Sequence, residues 1–262
     1  MRKILTLALL VLGSVGTWAF DVTTCGLIIP AGGEGVLQND IDCGGTITGV
    51  TIERQGSIKL NGFTIRHAGG AGGIYCTDRR CTVVGPGAVA DCASVDGAFV
   101  DSGVRLVVGK LSVDRCRNGI NSAFEVGNMP QSRVLAVDLA LRDNTRDGAV
   151  VGRFTGRSVT VSGNGLAGIH AGRRIVGDQL TASNNGTQGV VASRVKLISS
   201  SVTGGAIGAE FVHASFLGSV LTGNATADLV GHKRPTFLGS SCGHSVRVGG
   251  APGETLGVCA SD

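Results

Sequence analysis

A phrase of about twenty residues recurs through the second half of the chain, and it limits the possible folds more than any other feature. Leu141-Arg142-Asp143-Asn144 returns as Val161-Ser162-Gly163-Asn164 and as Ala182-Ser183-Asn184-Asn185. It returns again as Val202-Thr203-Gly204-Gly205 and Leu221-Thr222-Gly223-Asn224, with the last positions 20, 21, 20 and 19 residues apart. Three or four residues later a glycine precedes an aliphatic or small residue, as in Gly148-Ala149, Gly168-Ile169, Gly189-Val190 and Gly208-Ala209. Asp228-Leu229 is a variant, and Gly73-Ile74, Gly97-Ala98 and Gly119-Ile120 are looser earlier copies. Between these marks apolar and polar residues alternate, as in Ser158-Val159-Thr160-Val161-Ser162, which is a strand period.

A unit of two or three short strands cannot bury its own apolar face. Stacked units can, with parallel strands ~4.8 Å apart. The expected fold is therefore all-β: a single-stranded right-handed parallel β-helix of about ten coils. Composition agrees. Glycine contributes 44 of 262 residues and aromatics only 4%. The core must come from Val, Ile, Leu and Ala.

Asn144, Asn164, Asn185 and Asn224 form a predicted structural turn ladder. Asn tolerates left-handed backbone, and stacked amides hydrogen-bond along the axis. Gly205 is expected to reach the same backbone region without strain. Carried back, the same column contains Cys92 and Cys116, which predicts a bridge between neighbouring coils. The other cysteines suggest local bridges. Cys25 and Cys43 flank a turn region, Cys76 and Cys81 enclose Thr77-Asp78-Arg79-Arg80, and Cys242 and Cys259 lie near the end. Other connectivities are open on spacing alone. Glu125–Gln131 reads as an insertion, expected to leave the helix as a loop.

Arg2 and Lys3 precede the apolar run Ile4–Leu12, and Thr17-Trp18-Ala19 offers a cleavage site. Residues 1–19 thus read as a signal peptide and 20–262 as one β-helix domain with disulfide-fastened ends. Losing Arg2 and Lys3 lowers the formal charge from +4 to +2. That balance gives no case for nucleic acid. No transmembrane span is expected in the mature chain. Eight cysteines in an exported chain point to the cell envelope or the exterior.

The Asn turns, the Gly-aliphatic starts and Leu60-Asn61-Gly62-Phe63-Thr64-Ile65 resemble the right-handed parallel β-helix repeat proteins of the pectin-lyase-like superfamily. The stretch Cys25 to Cys43 and the ending from Cys242-Gly243 to Gly257-Val258-Cys259 look like an exported bacterial branch of that group. The resemblance implies the fold and a range of functions, from polysaccharide lyases and hydrolases to adhesins. It carries over no catalytic residue. Phe63 stands where members often have His, and the Asp-Pro-His signature of epimerases has no counterpart.

Counting five residues past each repeat-start position gives Arg153, Arg173, Arg194, His213 and Lys233, a predicted cationic column. Like charges on neighbouring strands repel. A column kept despite that cost suits uronate carboxylates or sulfates, which arginine holds through paired hydrogen bonds. The bland alternative is a solvated surface that keeps the sheet soluble. His170 and Glu210 share a second outward column with Val191 between them, about two coils or ~10 Å apart, and are the candidate catalytic pair. Asp91, Asp114, Asp138, Asp143, Asp147 and Asp178 are not expected to share a column. No metal or cofactor site is expected. The leading reading is an exported, non-catalytic β-helix that binds acidic polysaccharide. A polysaccharide lyase or glycoside hydrolase is the second reading, and a purely structural surface protein the third.

Overall fold

The computed structural model describes residues 19–92, 94–122 and 131–262. The expected signal peptide, apart from Ala19, lies outside the described residues, as does the expected insertion except for Gln131. Among the described residues there is no helix, and every strand pairing is parallel. The strands stack as a β-solenoid of about ten turns, as the repeat predicts.

Each turn runs through three sheets. The first stacks Leu27, Val50, Ile74, Ala98 and Ile120, then Ala149, Ile169, Val190, Ala209, Leu229 and Ser245. The repeat-start glycines immediately precede the residues of this file. They are needed for close approach rather than for an unusual φ. A Cβ on Gly168 would lie 2.5 Å from the Gly189 carbonyl oxygen and 2.9 Å from the Asn185 amide. The third sheet stacks Ile65, Val89, Val113, Leu141, Val161, Ala182, Val202 and Leu221. The second sheet lies between them along the chain and carries the candidate site.

Alternation sends one side chain of each pair inward. In the strand Arg133–Arg142, Val134, Ala136, Leu139 and Leu141 are buried while Arg133 and Val137 are exposed. The result is one continuous aliphatic core along the axis, with Phe154 and Phe216 as its largest fully buried side chains. Phe211, Phe216 and Phe237 pack together near the C-terminal end.

The Asn turn forms a hydrogen-bonded ladder. Asn144 Nδ2 donates to Asn164 Oδ1 at 2.8 Å, and Asn164 Nδ2 to Asn185 Oδ1 at 2.9 Å. The backbone N–H of Asn144 also donates to Asn164 Oδ1, and Asn164 Nδ2 also reaches the Leu141 carbonyl. Both donors and both lone pairs of the Asn164 amide are thereby used. Gly205 interrupts the ladder, and Asn224 resumes it by accepting from the Gly205 N–H.

The expected backbone conformation is corrected by one position. Left-handed backbone falls on the residue before each rung: Asp91, Arg115, Asp143, Gly163, Asn184, Gly204 and Gly223. None of Asn144, Asn164, Asn185, Asn224 and Gly205 has a positive φ. The amide column is selected for its hydrogen bonds, and the preceding residue makes the bend. This column also places Asp91 and Asp143 in one file, two turns apart with Arg115 between them, while Asp114 and Asp178 lie in other files. Arg115 bonds Asp91 at 2.6 Å and holds its carboxyl below the usual range.

The disulfides are Cys25–Cys43, Cys76–Cys81, Cys92–Cys116 and Cys242–Cys259. Cys92 and Cys116 join neighbouring turns with their Cα atoms 4.3 Å apart. A second polar ladder runs along the turn before the first sheet. Asp96 accepts from Arg117, Asn118 and Asn121, Asn118 accepts from the Asp147 N–H, and Asp147 accepts from the Ala167 N–H. Burial raises the Asp147 carboxyl above its ordinary range, against the opposing pull of that amide and of His170.

Candidate functional site

The second sheet carries its cations on the outer face. Six strands open this sheet with the same phrase, an arginine followed by a buried residue: Arg80-Cys81, Arg105-Leu106, Arg133-Val134, Arg153-Phe154, Arg174-Ile175 and Arg194-Val195. The buried partner anchors the strand, and alternation turns the arginine outward. The strands are in register, so Arg80 pairs Arg105, Arg105 pairs Arg133, and Arg133 pairs Arg153. Arg153 pairs Arg174, Arg174 pairs Arg194, and Arg194 pairs His213. Six arginines and a histidine thus occupy seven consecutive turns, ~4.8 Å from one to the next. All seven are exposed. Among the described residues none of the six arginines forms an ion pair.

This file differs from the counted column at both ends and in the middle. Arg153, Arg194 and His213 lie in it. Arg173 does not, because the strand Ile169–Ser183 takes up an extra residue between Ala171 and Arg174. That irregularity puts Arg174 in register and leaves Arg173 beside the file. Lys233 lies between the strands Ala227–Gly231 and Thr236–Leu238, outside the ladder. Its neighbour Arg234 is bonded to the Gly257 carbonyl. Arg80, Arg105 and Arg133 are additions that the count missed.

Arg133, Arg153, Arg173, Arg174 and Arg194 surround a cleft of about 530 Å³ that also reaches Ser193. Crowded, unpaired guanidinium groups over an open cleft present a field that attracts anions. Each group offers a planar fork that matches a carboxylate, sulfate or phosphate.

Beyond Ser193 a smaller cleft of about 210 Å³ is lined by His170, Val191, Glu210 and His232. His170 pairs Val191 and Val191 pairs Glu210 in the first sheet, so the candidate catalytic residues are two turns apart. Glu210 Oε2 accepts from Gln188 Nε2 at 3.1 Å. His170 and Glu210 flank this space, with the arginine cleft next to it. Tyr75 and Phe99 pack on adjacent turns with ring centroids 5.7 Å apart, in the same file as His170 but four and three turns before it. Among the described residues no three His, Cys, Asp or Glu side chains converge as metal ligands. No helix of the described residues is long and apolar enough to cross a membrane.

No protein-family model matches the chain, and no curated protein sequence does. Among solved structures it is similar to the A-module of the Azotobacter vinelandii mannuronan C-5 epimerase AlgE6. That likeness has 13% identity and a TM-score of 0.49, over 88% of this chain and 80% of that one. The AlgE4 A-module from the same organism gives 14% identity and a TM-score of 0.44, over 84% and 80%. The enzymatically active domain of tailspike protein 2 from bacteriophage CBA120 gives 14% and 0.44, over 86% and 42%. Likenesses at this level do not transfer chemistry. What the strand register establishes is architectural: the chain is an all-parallel β-solenoid.

Proposed function

We propose that this is an exported protein that holds an acidic polysaccharide in extended form along the arginine file, without transforming it. The observation that carries this reading is the register of six exposed arginines on consecutive turns with no acid partner among the described residues. A solvated sheet needs charge, but it gains nothing from one sign repeated in line. A linear polymer with an anionic group on successive sugars gives each guanidinium a partner and removes the repulsion. Nucleic acid fits less well, since the file carries no exposed Phe, Tyr or Trp on which a base could stack, Phe154 being buried. Four disulfides suit an oxidising compartment and support export to the envelope or the exterior.

The test is retention on immobilised polyuronate across a salt gradient. Arg133→Gln, Arg153→Gln and Arg174→Gln combined should weaken retention on the order of tenfold to a hundredfold and flatten its salt dependence. Arg173→Gln alone should do less. Wild-type retention by the triple variant would end the reading. A second reading, a lyase or hydrolase, draws on the junction of the His170–Glu210 cleft with the arginine cleft at Ser193. New unsaturated or reducing ends in the same incubation, lost in His170→Ala and Glu210→Gln, would establish it instead.

A further inference from the structure

The outer face that bears the arginines bears two more files. Val107, Leu135, Thr155 and Val176 are in register two residues further along each strand, and Val137, Arg157 and Asp178 two residues beyond those. Alternation puts all three files on one side, with ~7 Å between one file and the next. Val107, Leu135, Val137 and Val176 line a trough of about 430 Å³ whose walls are almost wholly apolar. Val137 is 51% exposed. The arginine cleft bounds the trough on one side and shares Thr155 with it. Arg157 and Asp178, 3.8 Å apart, bound the other.

A bare polyanion on the arginines would leave this hydrocarbon surface wet. Charge complementarity on one rim and apolar burial beside it call for one ligand with both characters. Resting on the anion-binding reading above, we infer that the ligand is an acylated acidic glycan. Its anionic groups lie on Arg133, Arg153 and Arg174, and its acyl chain lies in the trough alongside. A single chain fits better than a bilayer surface, because the Arg157–Asp178 rim makes the trough a channel. Pressing this face into a membrane would drive that ion pair into hydrocarbon.

The test compares an alginate oligomer with the same oligomer carrying one dodecyl chain, below its micelle concentration, by titration calorimetry. The dodecyl form should bind on the order of tenfold more tightly. Val107→Thr, Val137→Thr and Val176→Thr combined keep the β-branched shape that strands favour. They should erase that gain, leave the plain oligomer's affinity unchanged and leave the β spectrum intact. Equal affinities for the two oligomers, or a gain that survives the threonines, would overturn the acyl inference while leaving the polyanion reading standing. Binding of neither oligomer would overturn both. Dodecyl maltoside binding as tightly as the dodecyl oligomer, or preferred sedimentation with phosphatidylglycerol vesicles, would also overturn it, since the first needs no anion and the second needs a surface.

Discussion

The Asn turn and the arginine face are produced by the same stacking and have opposite energetics. Along Asn144, Asn164 and Asn185 the first amide donates to the second and the second to the third, in a buried site. Around Arg133, Arg153 and Arg174 each side chain repeats a charge that its neighbours repel, in an exposed site. An amide is both donor and acceptor, so a file of amides satisfies itself. A guanidinium only donates, so a file of guanidiniums is complete only when acceptors come from outside. A solenoid copies whatever its turn contains. What it copies inward becomes stability, and what it copies outward becomes a periodic binding surface.

The largest expected effect is at the centre of the amide file. Asn164→Ala leaves the Asn144 N–H, one Asn144 amide hydrogen and the Leu141 carbonyl without their bonds. Unsatisfied buried groups of this kind cost ~1–3 kcal/mol each, so the variant should lose about 3–5 kcal/mol in urea unfolding. A loss below about 1 kcal/mol would mean that the amides stack without supporting one another. The converse change is next in size. Gly205 is the gap between Asn185 and Asn224, and its φ is not positive. A Cβ there would meet the Asn185 carbonyl oxygen at 3.2 Å, close enough to demand a slight shift but not a rearrangement. Gly205→Asn should therefore join the two parts of the ladder and raise stability by about 1 kcal/mol, part of it from a less flexible unfolded chain. The same denaturation midpoint measures it, and destabilisation would show that the turn is too tight for the repair.

These two files also differ in how legible they were. The amide file could be read directly, because a turn residue keeps its offset from the repeat and the spacing of 19–21 residues absorbs little error. Its backbone role was misplaced because Asn serves both left-handed turns and side-chain ladders, and composition does not separate the two. The cationic file was read with Arg173 for Arg174, because a fixed count from Gly168 cannot tell where a 21-residue turn hides its extra residue. Arg80, Arg105 and Arg133 were missed for a related reason. Their turns are longer, with pairs 25 and 28 residues apart, so the same count falls short. The arginine-then-apolar phrase that recurs in six second-sheet strands is the signal that would have found them. Nothing in one-dimensional spacing marks the apolar trough. It exists only once Val107, Leu135 and Val176 are brought side by side.

The smallest effect decides whether the arginine face is structural or functional. Arg153 has an arginine on the turn before it and another on the turn after it. Arg153→Gln removes two repulsive neighbours from a screened, exposed site, so the free protein should gain a few tenths of a kcal/mol or stay unchanged. On the proposed function, polyuronate should stabilise the folded wild type by an increment that rises with the logarithm of its affinity, and the variant should receive less of that increment. Thermal unfolding with and without polymer at low salt therefore separates the cases by sign. A row kept for folding would make Arg153→Gln unstable on its own, with the polymer increment intact. A row kept for a ligand makes the free variant no worse and the complex weaker, the pattern expected here, because the strand register holds these guanidiniums in line although they repel one another.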